Sequence, residues 1–364
     1  MQSQRGTETE ASEKDSTLVD AFAVPDGVVC NEKGVCVVAD EPECIPGPSG
    51  DDCLVPGPLS TPQQYWTPRL ILLVCCVLYG TNFAFGRYLN DFVSPAVVSG
   101  LRFSLAAVCL SPFLKDIEKE LIRPAVVCSL FVAMGYIGQS VSLETISAGK
   151  SGFICSLAVI TCPLLEAFFD GRKIGAPLMA AIALSIAGVG ALELGDVEQP
   201  GIGDLWAMGQ PIGFGAAFWK TNAMMRKFPT QTLPITAVQV AGAGSISLVW
   251  MLYEASQSGH LDASLLEPLK DPKVAGAIGY LGVITTAVTR IGETKALGSV
   301  SSGDASILMT TEPLWAAVFG SLLMGENLGI SAWIGGGLIL AACLVNTIDD
   351  AQVQEWKLKF GIAS

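Results

Sequence analysis

The sequence predicts an all-α, polytopic membrane protein with ten transmembrane helices in two inverted-topology five-helix repeats. Three observations lead to this fold class. Of the 364 residues, 51% are hydrophobic and only 15% are charged, whereas soluble domains carry about 25% charged residues. The mean hydropathy is +0.50. Apolar stretches long enough to cross a bilayer occur ten times, and the first five match the last five in order.

The chain begins with an acidic tail, residues 1–68, that holds 12 acidic and 3 basic side chains. This composition predicts a segment without stable structure. The tail contains Cys30, Cys36, Cys44 and Cys53, whose spacing matches no zinc pattern with paired ligands. Residues 21–25 (AFAVP) are similar to a plastid-import cleavage context, so a plastid envelope is one alternative for the membrane. The leading residues do not resemble a secretory signal peptide.

The ten apolar stretches begin at Tyr65 or later, and each is long enough for a helix that spans about 30 Å of hydrocarbon. Backbone groups cannot stay unpaired in lipid, so the spans must be helices. The stretches lie near residues 70–89, 95–114, 124–143, 150–169, 174–194, 204–224, 233–253, 274–291, 302–324 and 330–348. They group into a first repeat, 69–194, and a second repeat, 203–348, followed by a short C-terminal tail, 349–364.

Basic residues near the span ends predict the orientation. Twelve, Arg290 among them, lie on the side shared by both termini, and four lie on the other side. Because cytosolic loops are enriched in Lys and Arg, both termini are expected on the cytosolic or equivalent side of a lipid bilayer.

The two halves of the chain resemble each other. Residues 151–169 and 301–319 share seven identities in nineteen positions at a constant offset of 150, and Glu144 pairs with Glu293 just upstream. Each half has five spans, so the chain enters the second half from the opposite face. The halves are therefore related by an axis in the membrane plane, as is typical of secondary transporters with a binding site near the midplane.

Several motifs carry a resemblance to a known family. They are residues 79–83 (YGTNF), 101–103 (LRF), 143–153 (LETISAGKSGF), 311–317 (TEPLWAA), 325–326 (GE) and 333–335 (WIG). With them, residues 69–348 resemble the EamA branch of the drug/metabolite transporter superfamily. The resemblance implies ten helices, inverted five-span halves and the movement of small organic solutes, but it does not identify the solute. The first half departs from the pattern with Asp170-Gly171 in place of Gly-Glu, and the cysteine-bearing tail has no family counterpart.

Three prolines are candidate helix-break positions. Pro163 and Pro313 occupy equivalent places in spans four and nine, and Pro211 interrupts span six. A proline inside a helix removes one backbone hydrogen bond and kinks or breaks the helix. The freed carbonyls could coordinate a solute or an ion at the midplane; kinks that serve only helix packing are the alternative.

Charged side chains within spans are the candidate solute-binding residues, because charges in hydrocarbon cost about 2.5 to 3.5 kcal/mol on insertion scales. Glu312, beside the break of span nine, could take up a proton or accept a hydrogen bond from a solute; a buried ion pair is the alternative. Lys220 and Arg87 could neutralise an anionic solute, or reach the interface along their aliphatic stems. Arg102 either lines the cavity or forms a structural salt bridge with a carboxylate. Glu144 and Glu293 are expected at the interface.

The same composition excludes several classes. The one histidine, His260, argues against histidine-ligated metals, haem and histidine-assisted catalysis. We expect no catalytic residue, no metal, no cofactor and no nucleic-acid partner. The sequence therefore predicts a secondary transporter, not an enzyme, for a small polar metabolite that is anionic or zwitterionic. The alternative is a non-transporting scaffold or sensor that anchors the cysteine-bearing tail. A homodimer is possible, although the spacing Gly209/Gly213 fits close helix packing inside the protomer and does not establish a dimer.

Overall fold

The structure is a computed structural model that describes residues 28–30, 36–38, 62–146, 148–192, 201–258, 263–324 and 330–346. The chain divides into two compact units, Met1–Val55 and Pro56–Ser364. Several sequence-based expectations fall outside the described residues: those for Cys44, Cys53, His260, the segment 21–25 and the C-terminal tail 349–364.

The described part of the first unit is a short antiparallel hairpin within the predicted tail. Strand β1 (Val28–Cys30) pairs with strand β2 (Cys36–Val38), and Cys30 stands opposite Cys36. The runs Val-Val-Cys and Cys-Val-Val are rich in β-branched residues, and a five-residue connection with a glycine joins them. This combination favours a hairpin.

The second unit is helical throughout its described residues, and helices lie on each of the ten apolar stretches. The first half contains α1 (Pro62–Asn90), α2 (Pro95–Leu110), α3 (Lys119–Ser142), α4 (Ala148–Ser156), α5 (Ala158–Phe169) and α6 (Ala176–Leu192). The second half contains α7 (Ile202–Ala207), α8 (Gly209–Lys227), α9 (Thr232–Ser258), α10 (Pro272–Gly282), α11 (Thr289–Leu297), α12 (Ser302–Met309), α13 (Glu312–Met324) and α14 (Ile330–Val345). Two 3₁₀ segments, Ser111–Asp116 and Ala263–Lys270, and one π-helix, Val283–Val288, complete the chain trace.

Six helical segments among the described residues are long and apolar enough to cross a membrane. They are Tyr65–Asn90, Pro95–Asp116, Lys119–Ser142, Lys150–Phe169, Thr232–Gln257 and Pro272–Leu297. Shorter apolar helices cover Ala176–Ala191 and Trp333–Val345. Large apolar side chains remain exposed on these helices, for example Val108 and Leu344, each 69% exposed. Such surfaces suit lipid rather than water, so the chain is an integral, multi-pass membrane protein.

Several helices start where the sequence supplies a capping residue. The Ser94 hydroxyl accepts a hydrogen bond from the Val97 N–H at the start of α2, and the Asp271 carboxylate accepts one from the Lys273 N–H at the start of α10. A proline follows each cap at the first helical position, where its missing N–H removes no hydrogen bond.

Two of the three candidate prolines coincide with helix breaks. Helix α12 ends at Met309, four residues before Pro313, and α7 ends at Ala207, four residues before Pro211. A proline ring clashes with the carbonyl four residues earlier, so the preceding helix stops there. Pro163 behaves differently, since it lies inside α5. The break in span four falls at Leu157, between α4 and α5, and not at Pro163 as expected.

The eighth apolar stretch contains a π-helix that the sequence analysis did not anticipate. The hydroxyls of Thr285 and Thr286 both donate to the Leu281 carbonyl, at 3.0 and 2.7 Å. The wider turn accommodates an additional residue. The helical path through α10 and α11 then runs on to Leu297, six residues beyond the predicted end of the span.

Small residues let α3 and α8 approach each other within one protomer. A Cβ atom on Gly213 would lie 2.6 Å from the Phe131 carbonyl oxygen, and one on Gly209 would lie 3.3 Å from the Met134 carbonyl oxygen. The spacing Gly209/Gly213 therefore serves packing inside the chain and gives no support to a homodimer.

Candidate functional site

A cavity lies between helices of both halves of the bundle. Its walls combine aromatic and apolar side chains with a few polar groups, as is usual in small-molecule sites. The first half contributes Tyr79, Gln139 and Ser156, and the second half contributes Arg290, Glu293 and Glu312.

A buried ion pair forms one wall of this cavity. Arg290 and Glu293, three residues apart on α11, form an ion pair, and the side chain of each is 1% exposed. The Tyr79 hydroxyl donates to Glu293 Oε2 at 2.7 Å, which connects the pair to α1.

The pair extends into a buried polar network. Arg290 Nη2 donates to Gln239 Oε1 at 2.9 Å, and Gln239 Nε2 donates to Thr221 Oγ1 at 2.9 Å. The network thereby connects α11, α9 and α8. Arg290 Nε is buried and has no hydrogen-bond partner among the described residues. The Nε–H of the guanidinium is thus unsatisfied in a region where such a donor costs about 1 to 3 kcal/mol.

This position of Arg290 and Glu293 corrects the sequence analysis, which counted Arg290 among the basic residues at a span end and expected Glu293 at the interface. The helix of span eight continues to Leu297, the end of α11, so Arg290 lies seven residues inside that end and not at it. The sequence did contain a signal, because an Arg and a Glu three residues apart stand on one helix face and can pair.

Glu312 lies at the break in span nine, next to Pro313. It is the first residue of α13, directly after the break at Thr310 and Thr311, and it is 9% exposed. Its side chain lines the cavity and takes part in no ion pair or hydrogen bond among the described residues. No basic side chain among the described residues pairs with Glu312, so the alternative of a buried ion pair is not observed there.

Arg102 is buried, 4% exposed, next to the cavity residue Tyr136. Its Nε and Nη2 atoms donate to Thr286 Oγ1 at 3.1 and 2.9 Å. The guanidinium carbon is 4.9 Å from the ring centroid of Tyr136, a cavity residue. Cation–π contact partly replaces hydration. The salt bridge with a carboxylate that the sequence analysis offered as an alternative is absent among the described residues.

Arg87 and Lys220 do not line this cavity. Arg87 is exposed at the end of α1, where its Nη1 donates to the Leu143 carbonyl at 2.9 Å. Lys220 is half-buried in a separate cleft between α3 and α8. Of the sequence-predicted charges, Glu312 thus lines the cavity, Arg102 lies behind the cavity residue Tyr136 without lining it, and Arg87 and Lys220 lie elsewhere, whereas Arg290 and Glu293 line the cavity.

Glu144, the repeat counterpart of Glu293, is exposed after the end of α3. Partial burial and the nearby Glu254 raise the pKa of its carboxyl above the usual value. The two positions therefore differ in environment although they align in sequence.

Apolar helices around a polar cavity shared by two halves of a chain define a multi-pass membrane transporter. The chain belongs to the EamA-like transporter family, whose model matches residues 67–192 and 201–348. This match confirms the family resemblance that the motifs carried.

Individual relatives are similar over most of the chain. An uncharacterized transporter of Archaeoglobus fulgidus is 23% identical and covers 74% of this chain and 95% of its own length. The threonine/homoserine exporter RhtA of Escherichia coli K12 is 25% identical, with 81% and 95% covered. The S-adenosylmethionine/S-adenosylhomocysteine transporter of Chlamydia muridarum is 24% identical, with 77% and 92% covered.

A solved crystal structure superposes with a TM-score of 0.62 at 15% identity, covering 77% of this chain and 96% of that chain. At this identity the likeness shows a shared fold and nothing about the solute.

Proposed function

We propose that this protein is a secondary transporter of a small zwitterionic or anionic solute. It works by alternating access between two inverted repeats of five helices, with ten transmembrane helices in all. One observation carries the proposal: Glu312, a carboxylate without a partner among the described residues, and Arg290, which keeps one unpaired N–H, line the same cavity.

The two groups match the two ends of a zwitterion. A solute ammonium group would donate to the Glu312 carboxylate, and a solute carboxylate would accept from the remaining N–H of Arg290. Arg102 would add a second positive charge behind Tyr136. A site with unpaired buried groups discriminates strongly against analogues that lack a matching group, because those analogues leave the groups unsatisfied.

The names of two relatives agree with this chemistry. Threonine, homoserine, S-adenosylmethionine and S-adenosylhomocysteine, the solutes in those names, all carry an α-amino and an α-carboxylate group. These two relatives are 25% and 24% identical to this chain, and their names support a solute with an amino and a carboxylate group.

The charges around the cavity also offer a means of coupling to protons. When Glu312 is ionised, the two positive charges of Arg102 and Arg290 equal the two negative charges of Glu293 and Glu312. With a proton on Glu312, one positive charge is in excess and an anionic group restores the balance. Because charges in a low-dielectric site interact strongly, proton uptake and the binding of a purely anionic solute favour each other, whereas the ammonium group of a zwitterion competes with the proton for Glu312.

Solute counterflow tests the proposed function. The purified protein is reconstituted into liposomes preloaded with a pool of sugars, amino acids, organic acids and nucleotides, and exchange is read by mass spectrometry. We expect exchange of solutes that carry both an amino and a carboxylate group, or a carboxylate alone, with neutral sugars excluded. If the folded protein exchanges none of these solutes, the proposal is contradicted and the scaffold or sensor is favoured. Deleting residues 1–60 then tests that alternative, because a scaffold should lose partner binding without its tail.

Alternating access requires contacts that close one end of the cavity, and we propose this role for Glu166, whose carboxylate contacts the other half of the chain. Glu166, near the end of α5, accepts from the Ser302 hydroxyl at 2.5 Å and from the Gly303 N–H at 3.1 Å, both at the start of α12. Arg172 pairs with its second oxygen at 3.0 Å. Gly171, with φ of +65°, provides the turn that brings Arg172 back toward α5.

We expect Glu166→Gln to open the end of the cavity that faces the side of both termini. Cys155 lines the cavity and serves as a native reporter. A membrane-impermeant maleimide added from the side of the termini should label Cys155 several-fold faster in the variant, as quantified by peptide mass spectrometry. The matched control is Asp116→Asn, an exposed carboxylate at the same predicted face. Unchanged labelling would assign the Glu166 contacts to packing alone.

A further inference from the structure

We propose that the cleft between α3 and α8 that contains Lys220 is a binding site for a phospholipid with an anionic headgroup. The cleft has an empty volume of about 510 Å³ and lies between the start of α3 and the end of α8. It is separate from the central cavity, so the inference does not depend on the proposed solute.

Two amines stand on one wall of the cleft. Lys220 and Lys227 are seven residues apart on α8, which places them on the same helix face about 10 Å from each other. Lys227 Nζ lies 3.5 Å from Glu120 Oε2, and both side chains are largely exposed, at 68% and 74%. An exposed pair of this kind contributes about 0 to 1 kcal/mol and leaves Lys227 available to a competing anion.

Lys220 has no ion pair or hydrogen bond among the described residues. Its Nζ lies 5.6 Å from the centroid of the Trp219 ring, within the distance of a cation–π contact. The residue is two helical turns inside the end of α8 and half-buried. An ammonium group at this depth lies near the boundary between headgroups and acyl chains, where a phosphate is the natural counter-charge.

The apolar surface of the remaining walls favours a lipid over a free anion. Pro124, Ala223 and Met224 give the cleft apolar surfaces beside the two amines. A free phosphate would leave these surfaces exposed, whereas a lipid would place its phosphate on the amines and an acyl chain against the apolar wall. The cleft also lies on the side assigned to the cytosol by the basic residues, where anionic lipids are concentrated.

Lipid binding is tested on the full-length protein in detergent, with palmitoyl-oleoyl phosphatidylglycerol as the probe. Phosphatidylcholine and inorganic phosphate serve as comparisons. We expect phosphatidylglycerol to raise the thermal unfolding midpoint and to give adducts in native mass spectrometry. Lys220→Met/Lys227→Met should weaken its apparent affinity about tenfold or more, while Lys220→Arg/Lys227→Arg retains it. Lys270→Met/Lys273→Met, which removes two exposed lysines elsewhere, is the matched control.

Equal phosphatidylglycerol affinity in the Met/Met variant and the wild type would overturn the proposal. Protection by inorganic phosphate as strong as that by phosphatidylglycerol would also overturn it, since the site would then accept a free anion. The Arg/Arg variant distinguishes loss of charge from loss of fold. Solute counterflow in phosphatidylcholine liposomes reports separately on the proposed function.

Discussion

Replacing Glu312 by glutamine is expected to leave the protein folded, to remove the pH dependence of transport and to lower the exchange rate. Glutamine keeps the shape of the side chain but carries no charge and takes up no proton. For a zwitterionic solute, the loss of the hydrogen bond between its ammonium group and the charged carboxylate, worth about 1.5 to 3 kcal/mol, corresponds to about one to two orders of magnitude in binding. Because Glu312 has no partner among the described residues, the substitution breaks no contact of the described fold.

The measurement is the initial rate of counterflow between pH 5 and pH 8 in proteoliposomes. Glu312→Asp retains a carboxylate and should keep a pH-dependent rate, although a lower one because its side chain is shorter. Glu144→Gln removes a carboxylate that is exposed after α3 and should behave as the wild type. A Glu312→Gln variant that follows the wild-type pH profile would show that the coupling proton binds elsewhere.

The sequence located the helices because apolar runs in a chain with few charges are strong signals. Caps such as Ser94 and Asp271 then set where individual helices begin. Breaks were harder to place, since Pro211 and Pro313 end the preceding helix four residues earlier, whereas Pro163 is accommodated inside α5. A proline therefore predicts a disturbance of the helix, but neighbouring packing decides where the helix stops.

The site was predicted in part. Glu312 stood out as a charge beside a proline in an apolar run, and the structure places it in the cavity. Arg290 and Glu293 were assigned to an interface because the apolar stretch was predicted to end at residue 291. No single-residue preference marks the π-helix at Val283–Val288, so the length of that span could not be read from hydropathy. Lys220 was equally prominent in sequence, yet only the position of α8 against α3 shows that it faces a different cleft.

The second large effect is expected on stability, when one partner of the buried ion pair of Arg290 and Glu293 is substituted. Arg290→Met leaves Glu293 buried with the Tyr79 hydroxyl but without its counter-charge, and Glu293→Gln leaves Arg290 without its carboxylate. Breaking a buried pair by removing one partner costs about 3 to 5 kcal/mol, whereas replacing both partners with uncharged residues is often nearly neutral. We therefore expect each single variant to be strongly destabilised and the double variant Arg290→Met/Glu293→Gln to regain most of the lost stability.

A double-mutant cycle measures the coupling between Arg290 and Glu293. It compares the unfolding free energies of the wild type, both single variants and the double variant in one detergent. Additive losses would contradict a strong interaction between the two side chains. Counterflow on the same four proteins separates stability from function. The double variant should fold but remain inactive, because it lacks the guanidinium N–H that Arg290 leaves unpaired. A buried ion pair adds little net stability over apolar residues of similar volume, so its place beside the cavity is better explained by solute binding than by the requirements of the fold.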